Sequence, residues 1–141
     1  MVDRAHRHFS SLLIVWLALL SLSFGQRPDS LRSPAPKLIK LNLQGKEYMR
    51  VLGGPPESST MRSGLVALAP GKSVGKHSTE KYEEMVIVFE GKGEMRITGG
   101  DTLSCTKGDV IYCPPHTEHD VVNTGVGELR YLYVVAQARP E

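Results

Sequence analysis

Between Gly71 and Gly91 the chain reads GKSVGKHSTEKYEEMVIVFEG, and here a histidine, a carboxylate and two bounding glycines stand at intervals that metal chemistry can use. His77 precedes Glu84 by seven residues, and Glu84 opens the apolar run Met85-Val86-Ile87-Val88-Phe89. A loop histidine is thus followed by a carboxylate planted at the start of a strand. A second stretch, Gly108 to Asn123, carries His116 and His119. A divalent first-row ion in a reactive site takes two or three imidazoles, often a carboxylate, and keeps a position open for water or substrate. His77, Glu84 and His119 together supply two imidazoles and one carboxylate.

The spacing of both stretches resembles that of the cupin superfamily, in its small single-domain, type-2-like form. Gly71, His77, Thr79, Glu84 and Gly91 follow the first cupin motif, and Gly108, Pro114, His116, His119 and Asn123 follow the second. The match runs from about Leu65 to Val135. It implies an all-β fold, an antiparallel jelly-roll barrel, with Fe, Mn, Zn, Ni or Cu held inside by His77, Glu84 and His119. The chain departs from the pattern at Thr79, where a second histidine usually stands, and a threonine hydroxyl is a poor ligand beside an imidazole. Three arrangements meet that departure. Water or substrate fills the missing position, His116 swings in as a ligand, or the pocket is metal-free and its polar groups bind a ligand directly. His116 replaces a usual glycine in a turn, where a residue tolerant of positive φ is needed.

The elements that must position these residues are short. At 141 residues the chain holds one domain, and its net charge of +2 comes from interspersed acids and bases. No basic stripe argues for nucleic acid, so a small-molecule ligand or a protein is the expected partner. Arg4 and Arg7 precede an apolar core, Leu12 to Leu20, and Ser23-Phe24-Gly25 offers small residues for cleavage, so residues 1–25 read as a signal peptide. The core is too short for a membrane span. The mature chain is expected to begin near Gln26, secreted or periplasmic, with no membrane association after cleavage. Residues 26–37, with three prolines, read as an extended or disordered arm, and residues 38–138 as the barrel.

Turn residues divide the barrel segment into nine or ten strands, the first over Leu38 to Leu43, with no amphipathic helix among them. A hairpin is expected at Glu90 to Gly93. A three-residue loop over Gly99-Gly100-Asp101 would pair Ile97 with Leu103 and Met95 with Cys105, which gathers four apolar side chains on one face. Strand neighbours face opposite ways, so only one of Glu83 and Glu84 can line the interior; the motif spacing to Gly91 favours Glu84, and Tyr82 shares that face as a candidate ligand contact. Both faces of Met85 to Phe89 are apolar, so an N-terminal strand or a second subunit must cover the outer one. Cupins often pair through such a sheet, and the resemblance implies a homodimer. Cys105 and Cys113 read as two separate buried thiols, with a disulfide between them the alternative for an exported chain. Two functions fit: a metal-dependent enzyme of dioxygenase, isomerase or lyase type, or a non-catalytic small-molecule or carbohydrate-binding barrel.

Overall fold

The computed structural model describes residues 34–138. The expected signal peptide and most of the arm lie outside them. Eight strands form: β1 (Tyr48–Gly53), β2 (Arg62–Leu68), β3 (Tyr82–Glu90), β4 (Lys92–Ile97), β5 (Thr102–Thr106), β6 (Val110–Cys113), β7 (His119–Asn123) and β8 (Leu129–Gln137). They make two antiparallel sheets, one ordered β1-β2-β8-β3-β6 and the other β5-β4-β7. The two sheets face each other across one core, which is the all-β jelly-roll arrangement. Among the described residues there is no helix, so none long and apolar enough to cross a membrane.

Alternation decides which residues enter. On β3, Glu84, Val86 and Val88 are buried while Met85 and Phe89 are exposed. On β8, Leu129, Tyr131, Tyr133 and Val135 share the inner face, set by the pairings Tyr131 with Val66 and Tyr133 with Val86. Met95, Val121 and Leu129 fill the centre of the core and are excluded from water. Burying a side chain of this size contributes about 1.5–3 kcal/mol.

Several local expectations are corrected. Leu38 to Leu43 is not a strand: Leu43 packs on Leu65 and Ala67, and Leu38 and Leu41 remain exposed. Among the described residues the count is therefore eight strands and not nine or ten. The chain makes no hairpin at Gly91, because β3 and β4 belong to different sheets. Gly91 has φ of 86°, and a Cβ there would collide with the Glu128 carbonyl, so the residue that hands the chain over must be glycine. The β4–β5 loop is Thr98-Gly99-Gly100, one residue earlier than expected, and it pairs Met95 with Leu103 and Gly93 with Cys105. Met95, Ile97, Leu103 and Cys105 still share one face, because the register differs by two residues and a shift of two preserves facing.

Candidate metal centre and cavity

His119 is the first residue of β7, and His77 lies opposite it on the segment after β2. Their backbones exchange two hydrogen bonds, His77 N–H to the His119 carbonyl at 2.9 Å and His119 N–H to the His77 carbonyl at 2.8 Å. Side chains at such a pair leave the sheet on the same face. The rings therefore meet, with centroids 4.5 Å apart. Glu84 comes from the facing sheet, and its carboxylate reaches the same point: ligand atoms of His77, Glu84 and His119 all lie within 4.8 Å of one another.

Each imidazole is oriented by backbone. Nδ1 of His119 lies 3.0 Å from the Thr117 carbonyl, and Nδ1 of His77 lies 2.9 Å from the Gly75 carbonyl. A carbonyl can only accept, so both Nδ1 atoms carry the proton and both Nε2 atoms are left as lone-pair donors in the neutral rings. That is how a protein prepares a histidine for a metal. The His119 Nε2 lies 3.3 Å from Glu84 Oε2, yet neither atom makes a hydrogen bond, and both are buried. A lone pair facing a carboxylate at that distance is repulsive unless a proton or a cation stands between them. The Glu84 carboxylate accordingly pushes the His119 imidazolium up from its ordinary value, against the effect of burial. A third donor, His77, with a ring nitrogen within 4.8 Å of both, makes the set fit a divalent ion.

The other sequence candidates stand apart. The Thr79 hydroxyl donates to the Tyr82 carbonyl at 2.9 Å, which ties it into the turn before β3, although the residue does border the cavity. His116 has φ of 58°, as its turn position requires, but it is exposed and lies outside the three-residue group. Tyr82 does not join Glu84 in the cavity. It lines a separate groove with Arg62 and Tyr133, and the Arg62 guanidinium lies 5.6 Å from its ring centre. Tyr82 is the first residue of β3, two before Glu84, and borders the neighbouring groove. Glu83 points outward and accepts a hydrogen bond from the Tyr112 hydroxyl at 3.1 Å. Cys105 and Cys113 are both buried free thiols, and burial pushes both up from the ordinary thiol value. Cys113 Sγ lies 3.3 Å from His119 Nδ1, behind the imidazole.

The group opens on a cavity of about 510 Å³, within the range of small-ligand sites. His77, Thr79 and Glu84 border one part, and Val66, Leu68, Val121 and Val135 give apolar walls. Tyr48, Tyr131 and Tyr133 border the rest.

The family model described as "Cupin domain" matches residues 64–135, half of the chain. The chain belongs to the cupin family. This cupin is 34% identical over 68 residues to an oxalate-binding protein of Thermotoga maritima, a match covering 48% of this chain and 55% of that protein. It spans about half the length of the curated relatives it matches. Among solved structures it resembles a cupin 2 conserved barrel domain protein from Salinispora arenicola, with a TM-score of 0.60 and 24% identity over 74% of this chain and 91% of that one. The cupin domain of Schizosaccharomyces pombe Cnp3 gives a TM-score of 0.62 at 16% identity, over 72% and 76% of the two chains. At such identities the structural likeness speaks for the fold alone.

Sequence reasoning missed the tyrosines of this cupin. The period-two pattern Leu129, Tyr131, Tyr133, Val135 was the available signal, since one inward residue of a strand implies the next but one. Gly64 was missed as well, and its meaning depends on neighbours from two other strands.

Proposed function

We propose that this cupin is exported and binds one divalent transition ion through His77, Glu84 and His119, offering the remaining coordination positions to a small ligand in the cavity. The observation that carries this is the pair of buried, unpartnered atoms, Glu84 Oε2 and His119 Nε2, 3.3 Å apart. The donor set contains two nitrogens and one carboxylate, which suits Fe, Mn, Zn, Ni or Cu better than Mg or Ca. When bound, such an ion supplies Lewis acidity toward a ligand oxygen. The chain's own residues do the remainder. Thr117 and Gly75 hold the imidazoles in one tautomer, Val66, Leu68 and Val121 keep the cavity walls dry, and Glu84 offsets ionic charge. That the Thermotoga relative is named for oxalate binding supports a small oxygen-rich ligand.

Export is supported by residues 1–25, and pairing into a homodimer by the outer face of the larger sheet, where Met85, Phe89, Val110 and Tyr112 are exposed. Leu43 covers the β1–β2 half of that face and leaves the β3–β6 half open.

Elemental analysis of the purified full chain after reconstitution tests the metal reading. Near-stoichiometric metal is expected in the parent protein and its loss in Glu84→Gln; metal below about 0.1 per chain in the parent sinks it. Native mass spectrometry of the secreted product tests the rest. It should show a dimer of chains beginning near Gln26, and a monomer with Met1 intact would reject both parts.

A further inference from the structure

The Tyr48 and Tyr133 hydroxyls lie 3.0 Å apart on the wall of the same cavity that His77 and Glu84 border. The two residues belong to β1 and β8, which are not neighbours: β2 runs between them. The pairings Tyr48 with Val66 and Gly64 with Tyr133 place Gly64 under the point where the rings meet. A Cβ on Gly64 would stand 2.7 Å from both Tyr48 Cε2 and Tyr133 Cε1 and 2.9 Å from the Tyr133 hydroxyl. The absent side chain is therefore what lets the two rings close over β2.

We propose that the Tyr48–Tyr133 hydroxyl pair is a second recognition point, taking an uncharged hydroxyl of a small organic acid whose carboxylate lies at the His77–Glu84–His119 end. The inference rests on the metal reading given above and adds the class of ligand. Three observations carry it.

The first is reach. Glu84 pairs with Val135, and Tyr133 is two residues away on the same face of β8. The Tyr133 hydroxyl lies over Gly64 on β2, so it stands two strand spacings, about 10 Å, across the sheet from Glu84, a span for a metal-bound acid of several carbons.

The second is hydrogen-bond capacity. Two hydroxyls hold two protons and use one between them, so one donor and several lone pairs stay open. A ligand hydroxyl can accept from that donor and donate to a lone pair; a carboxylate can only accept. Burial, followed by the bond to Tyr48, pushes the Tyr133 phenol well above its ordinary value, so the donor proton is retained.

The third is charge. The cavity is bordered by two carboxylates, Glu47 and Glu84, and by no lysine or arginine. An ion at the histidine end can receive one carboxylate. A second, at the tyrosine end, would meet the like charge of Glu47 at the exposed rim beside Tyr48, while Arg62 belongs to the adjoining groove that Tyr133 also lines.

The test is calorimetric titration of the zinc-loaded full chain with dicarboxylates from malonate to glutarate, each paired with the ω-hydroxy acid of the same length. One pair or more should favour the hydroxy acid by about fivefold, the share of one or two net hydrogen bonds. Tyr133→Phe and Tyr48→Phe should each narrow that preference to within about twofold while zinc content stays unchanged. A loaded protein that binds dicarboxylates equally or better, binds neither class, or keeps its preference in both variants overturns this inference alone. A protein that takes up no zinc overturns the metal reading and this one with it.

Discussion

The two ends of the cavity are built on opposite principles. At the histidine end, Glu84 Oε2 and His119 Nε2 face each other at 3.3 Å without a hydrogen bond between them. At the tyrosine end, two hydroxyls 3.0 Å apart satisfy each other. An unsatisfied buried pair costs stability until a cation or proton arrives, whereas a satisfied pair loses little by exchanging one partner for another. The first end is thus made for tight, selective occupancy and the second for discrimination among ligands already held.

Removing donors from the histidine end should have the largest effect. His119→Ala or His77→Ala is expected to lower zinc affinity by more than about a hundredfold in chelator competition, beyond the loss typical of an outer partner. His77 lies toward solvent, so its variant should stay within about 0.5 kcal/mol of the parent in metal-free urea unfolding. Unchanged zinc affinity in His77→Ala would mean that the two ends do not differ as described.

At the other end, Gly64→Ala should cost about 1–3 kcal/mol in the same unfolding measurement, because rings on both sides must give way to the methyl group. A neutral result would show that the tyrosines swing aside freely. The smallest change is expected from Cys113→Ala, which leaves the Thr117 carbonyl on His119 Nδ1. Zinc affinity should then fall by less than about threefold, well short of the tenfold or more that follows loss of an orienting partner. A larger loss would assign the orientation of His119 to the thiol.

Much of the histidine end was legible in the chain because its chemistry is carried by rare residue types at set intervals. Strand alternation allowed only one of Glu83 and Glu84 to face the cavity, and the spacing to Gly91 in the motif chose Glu84. The register of β4 with β5 was less accessible. A loop over residues 99–101 and one over residues 98–100 put the same apolar residues on the same face, so hydrophobic pattern decides facing and leaves the pairing open. Leu38 to Leu43 shows the converse limit. Its alternation suits a strand, but the segment pairs with neither sheet and only Leu43 is buried. The tyrosine end was hidden for a different reason: it is made by three strands that meet over Gly64, and no local interval in the sequence records such a meeting.

Gly91 passes the chain from one sheet to the other, so that Glu84 stays on the first sheet while His119, with His77 paired against it, belongs to the second. An ion held by all three would be a cross-link between the sheets, and its binding free energy would add to the cohesion of the barrel. Zinc at a hundred times its dissociation constant should raise unfolding stability by about 2.7 kcal/mol, read as a shift in thermal midpoint that Glu84→Gln abolishes. In surroundings of variable metal content, the same three side chains would then make the stability of the fold a gauge of the metal available to it.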